Sequence, residues 1–169
     1  MRKFSESQKK YSLSEINDRG IDIDNLLLEL DGCSIDYEII SEGKGTLYNW
    51  VIDNYPFFWW GKIDTKNIIN SQTVSFYKHG FGYVYYGYDD TFETFMNDNA
   101  IKSEFIYILW SHTNQPIIKM RFSDILEFIY DIFNDYVDTW IICPEEGWCI
   151  EHHYLGELSF LPIGKYVKY

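Results

Sequence analysis

Cys143, Cys149, His152 and His153 lie close together near the end of the chain, and thiolate and imidazole at short spacing are the raw material of a zinc site. Zinc, however, needs its ligands to converge on one point at about 2.0–2.3 Å. The run Pro144-Glu145-Glu146-Gly147 reads as the turn of a β-hairpin, pairing Cys143 with Trp148 and Ile142 with Cys149. Successive strand residues point to opposite faces, so the two cysteines can neither share a zinc nor form a disulfide. Two buried thiols and a half-exposed histidine pair are expected instead. A Cys–His nucleophile would draw on the same residues without any local signature to support it.

Other candidates for chemistry fare no better. His79 and His112 fall at turn or strand ends. Asp89-Asp90 and Glu145-Glu146 are adjacent in sequence, so neither pair need face a common site. Gly43-Lys44-Gly45-Thr46 lacks the first glycine and the spacing of a phosphate loop, and the Phe81–Tyr88 run is not a GxGxxG. The sequence assigns no catalytic, cofactor-binding or metal-binding residue, and a non-enzyme is expected.

The stronger signal is charge. Between Phe122 and Gly164 there are nine carboxylates and no lysine or arginine, interleaved with Ile125, Phe128, Ile132, Phe133, Trp140, Ile141, Trp148 and Ile150. A disordered acidic tail lacks such apolar residues, because nothing would offset the entropy of ordering it. The stretch is therefore folded and shows one sign of charge to solvent, at a cost in self-repulsion. Ser123 caps a predicted helix over Asp124–Val137 on which Asp124, Glu127, Asp131, Asp135 and Asp138 recur at helical spacing on one face. Ile125, Phe128, Ile129, Ile132, Phe133 and Tyr136 then face the core. Asp135 and Asp138 sit near the negative end of that helix, each costing about 0.3–1 kcal/mol. With no basic residue to pair with, the stripe is expected to bind a basic surface together with Glu145 and Glu146.

The elements that must position these groups follow from periodicity. Residues 1–11 read as a frayed segment and 12–169 as one domain. Residues 21–32 suit either helix or strand and end at Gly32; residues 34–41 read as a strand. In residues 46–63 the first half reads as helix, Pro56 stops it, and Phe57–Ile63 reads as a strand or buried loop. Trp59 and Trp60 are open between core packing, a partner interface and stacking on sugar rings. Residues 72–88 read as a hairpin turning at His79-Gly80. Its tyrosines occupy both faces, so one face is exposed, with Tyr86 and Tyr88 as candidate partner contacts. Thr91–Asp98 reads as a short helix, residues 104–113 and 116–122 as paired strands, Thr139–Cys143 and Trp148–Tyr154 as a hairpin, and Glu157–Pro162 as a final strand. The fold class is α+β, one domain, with a mainly antiparallel sheet and a few packed helices.

The whole chain bounds the partner. It has 169 residues, 46% hydrophobic and 20% aromatic, with a net charge of -12. An acidic chain of this kind has no direct nucleic-acid or anionic-membrane partner, since both need basic patches. No apolar run approaches a membrane span, no signal peptide opens the chain, and three cysteines make no disulfide framework, so a cytoplasmic protein is expected.

A single-domain, strongly acidic chain, rich in Trp and Tyr and without catalytic motif, resembles bacterial immunity proteins. These are the antidotes to polymorphic and contact-dependent growth inhibition (CDI) toxins. The segment Asp138–Pro162 has the Trp-hairpin character of that group. The resemblance implies one-to-one binding of a basic toxin domain, a nuclease being the class implied, with its active site or nucleic-acid groove blocked. The alternatives are an acidic nucleic-acid mimic that inhibits a host enzyme, a carbohydrate-binding module and a Cys/His metal enzyme.

Overall fold

In a computed structural model, the residues described are 23–41, 43–75, 78–79, 82–83, 88–98, 101–111, 115–133, 138–154 and 156–163. The expected frayed segment at 1–11 lies outside them, as do Tyr86 and Asp135, and the side chain of Tyr88. In chain order the elements are α1 (Ile23–Gly32), β1 (Tyr37–Ile40), α2 (Lys44–Asn54), a 3-10 turn (Thr65–Asn67), β2 (Gln72–Ser75), β3 (Lys78–His79), β4 (Gly82–Tyr83) and α3 (Tyr88–Asp98). Then come β5 (Phe105–Trp110), β6 (Ile117–Arg121), a 3-10 helix (Phe122–Phe128), α4 (Ile129–Ile132), β7 (Thr139–Cys143), β8 (Trp148–His153) and β9 (Glu157–Pro162).

Seven strands form one sheet in the order β1-β6-β5-β7-β8-β9-β2, every neighbouring pair antiparallel. This is the expected α+β architecture. Two differences concern the middle of the chain. The predicted long hairpin is divided: β2 pairs with β9 in the main sheet, and among the described residues of 76–88 the two-residue strands β3 and β4 pair with each other. Residues 21–32, open between helix and strand, are helical from Ile23, because Ile23, Leu26 and Leu30 recur at helical spacing and all are buried.

Period-two alternation along the strands makes the sheet two-faced. On one face Ile106, Ile108, Trp110, Ile118, Met120, Ile141 and Ile150 pack beneath α1, α3, the 3-10 helix and α4. On the other, Leu109, Ile117, Trp140, Ile142, Cys149 and Leu161 pack beneath α2 and the segment that follows it, through Tyr48, Val51, Tyr55, Ile63 and Ile68. Both covering layers are fastened by polar contacts to main-chain carbonyls. The Trp110 indole donates to the Ile132 carbonyl at 3.1 Å on the first face. The Tyr48 and Tyr55 hydroxyls donate to the carbonyls of Trp110 and Leu161, each at 2.8 Å, on the second.

The predicted helix over Asp124–Val137 is corrected. The chain follows a 3-10 helix from Phe122 to Phe128, then a single α-turn that ends at Phe133 in extended conformation. Residues three apart eclipse one another in a 3-10 helix. Phe122, Ile125 and Phe128 thus stand in one row, and all three are buried against the sheet. Packing of that row decides the geometry, overriding the α-helical period that the carboxylates suggested.

Candidate partner-binding surface

The β7–β8 hairpin has the register its sequence predicts: Cys143 opposite Trp148, and Ile142 opposite Cys149. Cys143 and Cys149 are both buried, on opposite faces of the sheet. His152 and His153 are likewise divided, and both are buried rather than half-exposed. His152 stacks on Phe133 in the first layer, with ring centres 4.4 Å apart. His153 lies on the second face, 3.7 Å from the Asp138 carboxylate. Among the described residues no three His, Cys, Asp or Glu side chains are grouped to hold a metal ion.

Asp124, Glu127 and Asp131 lie along the first-face layer, Asp124 half-buried and the other two exposed. The acidic character of this layer extends beyond what the stripe suggested. α1, α3, the 3-10 helix and α4 together contain ten carboxylates and no lysine or arginine. Tertiary packing brings two of them into contact: the Glu29 carboxyl is held above its ordinary value by the Asp131 charge and by a hydrogen bond between the two groups. Two carboxyls from different elements thus share one patch of surface, where like charges repel.

The remaining predicted contacts go elsewhere. Asp138 does not extend the stripe. It precedes β7 and turns to the second face, where it accepts the Tyr154 amide at 3.0 Å and faces His153. Burial raises its carboxyl, while the amide and His153 oppose that rise. Glu145 and Glu146 are exposed in the β7–β8 turn, at the opposite end of the sheet from Asp138. They border an open cleft of about 310 Å³ with Lys102, Glu104, Lys119 and Cys143, so their surroundings carry both signs of charge. Glu146 accepts the Trp148 indole at 3.1 Å.

Sequence reasoning left the Trp59-Trp60 pair open, and the structure exposes it. Phe57–Ile63 is no buried loop: it is a tight turn whose tip holds Trp59, 91% exposed, and Trp60, 55% exposed. Phe57 and Ile63 form a β-bridge, Phe58 N–H donates to the Lys62 carbonyl at 2.8 Å, and Gly61 N–H returns to the Phe58 carbonyl at 3.0 Å. Gly61 has φ of 100°, a conformation that disfavours any residue with a side chain. The punctuation was legible in Pro56 and Gly61 bracketing the pair; the exposure was not. Trp59 and Trp60 stand at 89° to each other and do not form the planar strip a sugar-binding platform requires.

The root of this turn rests on a buried polar group. Glu151 is 1% exposed, and its Oε1 accepts both the Ile63 amide at 3.1 Å and the Trp140 indole at 3.2 Å. Its Oε2 has no hydrogen-bond partner among the described residues. Burial raises the carboxyl to about 7, against the pull of those two donors. Beside it, Lys62 forms an ion pair with Glu157.

Over residues 30–160 the chain matches the family described as CdiI immunity protein EcoliA0-like. The chain belongs to the CdiI immunity protein family. That range takes in β1 through the first four residues of β9, and the covering elements apart from most of α1. A search of curated proteins returned no match. As a CdiI family member the protein is an immunity protein that neutralises a toxin, and its partner is the cognate toxin protein. Among the described residues no helix is long and apolar enough to cross a membrane.

Proposed function

We propose that this CdiI family member acts in the cytoplasm, without catalysis of its own. It forms a one-to-one complex with a basic toxin domain of the nuclease class and blocks the active site or nucleic-acid groove. The observation that carries this reading is the first-face layer, with ten carboxylates, no basic residue and the Glu29–Asp131 contact. A surface that neutralises phosphate groups must be basic, and an acidic layer competes for it directly. Association with a cationic partner also relieves the repulsion stored between Glu29 and Asp131.

Opposite charges steer encounter, and rim charges act mainly on the association rate. The test is association of the purified chain with the toxin domain encoded by the adjacent gene, at low and at physiological salt. E127K and D131K together should slow association by roughly tenfold or more at low salt, with a smaller effect at high salt. An unchanged on-rate would remove the acidic layer from the reading. Absence of any complex would remove the basic toxin as partner.

A further inference from the structure

The Trp59–Trp60 turn and the acidic layer lie on opposite faces of the sheet, yet they meet at one of its ends. Ile132, next to Asp131, accepts hydrogen bonds from Trp110 and Thr139, which are paired at the last rung of β5 and β7. In the same end rows stand His152, His153, Leu158 and Glu157. Lys62, two residues beyond Trp60, pairs with Glu157 there. Tyr154, 41% exposed, follows His153 at this end and lies tilted against it at 39°, ring centres 4.7 Å apart. A partner seated over this end would touch Asp131 on one side, the Trp59–Trp60 turn on the other, and Tyr154 between.

We propose that this end of the sheet is the toxin-docking surface, with the Trp59–Trp60 turn as its anchor receiving an arginine or lysine side chain of the toxin domain against an indole face. The inference rests on the toxin-binding reading above and deepens it by naming the contact that holds the complex. Three observations support it. Trp59 is almost wholly in water, where an indole gains nothing for the free protein. Phe58 and Trp60 are stacked at 4.4 Å and 3°, which fixes the orientation of the second indole before any partner arrives. The same end of the sheet carries the exposed Asp131 carboxylate, so a surface complementary to it is cationic, and indole faces are the best aromatic receptors for cations. Lys62, two residues beyond Trp60, is already engaged by Glu157.

Glu151 fits the same account. A buried carboxylate with one unpartnered oxygen is a poor way to stabilise a fold. It does tie the root of the turn, through Ile63, to the indole of a core tryptophan. That linkage serves the shape of the turn.

The test is the dissociation rate of the full chain from the same toxin domain, for wild type and for W59A, W60A, W59Y and W59L. Thermal melting of each variant confirms the fold. W59A and W60A should speed dissociation by roughly tenfold or more while changing association less than E127K/D131K does. W59Y, which keeps an aromatic face, should restore part of the loss, and W59L should not. Unchanged dissociation in both alanine variants, with wild type bound, overturns the anchor and leaves the toxin-binding reading intact. Equal rescue by W59L overturns the cationic occupant. Self-association of the free chain that W59A abolishes assigns the turn to a second copy and also overturns the proposal. Failure of wild type to bind at all overturns both readings.

Discussion

Glu151 and His152 are neighbours on β8 that face opposite ways, and their burial acts on stability with opposite sign. Burial raises Glu151 from 4.5 to about 7, so the folded state holds its proton more tightly than the unfolded state does. Its contribution is complete below the unfolded value and is lost as pH rises through about 7, a change of about 3 kcal/mol. Burial lowers His152 from 6.5 to about 3, because the charged ring would be desolvated. Its contribution is complete above 6.5 and is lost as pH falls toward 3. Between pH 4.5 and 6.5 the two slopes oppose each other. E151Q keeps an oxygen for the Ile63 and Trp140 donors and has no charge to titrate. Urea unfolding should therefore show wild type nearly flat over this range, whereas E151Q gains roughly 1.4 kcal/mol per pH unit from His152. Parallel curves for the two proteins would mean that Glu151 is not titrating in the core.

At the scale of elements, turn geometry sets what the strands can present. Gly147 closes the β7–β8 hairpin at φ of 73°, and a Cβ there would lie 3.4 Å from Ile163, whose amide donates to the Gly147 carbonyl at 2.7 Å. G147A should cost about 1–2 kcal/mol in denaturant unfolding, from backbone strain and from displacement of Ile163. The Trp turn behaves differently. Its root is fixed by main-chain bonds and Glu151, but Trp59 at the tip is 91% exposed and meets Trp60 edge-on. Its replacement by alanine should leave stability within about 0.5 kcal/mol, so binding and folding effects separate there. The 3-10 helix shows a third balance. A buried row at three-residue spacing took precedence over a carboxylate pattern at helical spacing, because each buried aromatic or branched side chain contributes about 1.5–3 kcal/mol and surface charge spacing only tenths.

For the molecule as a whole, the sheet sorts the covering layers by charge. The first-face helical elements carry only acids, whereas Lys44–Asn70 on the second face carries three lysines and two aspartates. Among the described helical elements the acidic excess is thus concentrated on one side. Association with the toxin domain should weaken steadily as salt is raised, because the Debye length falls to about 8 Å at 0.15 M. Dissociation should be nearly insensitive to salt, being set by the aromatic turn. Stopped-flow measurements across ionic strength separate the two, and a salt-independent association rate would contradict steering by this layer.

Much of this was legible in the residues themselves. Alternation gave the strands, and Pro144-Glu145-Glu146-Gly147 gave the hairpin with its register, hence the separation of Cys143 from Cys149. Both are local properties of a chain whose strand period is two. Composition alone established an acidic, aromatic-rich molecule, because charge and apolar content do not depend on how the chain is folded. Only the tertiary structure decided which groups share a surface. It set Glu29 beside Asp131, turned Asp138 away toward His153, and placed Trp59 in water though its neighbours Tyr55 and Ile63 are buried. Such outcomes depend on contacts between residues distant in sequence, such as Ile63 with Glu151, and no local periodicity encodes those.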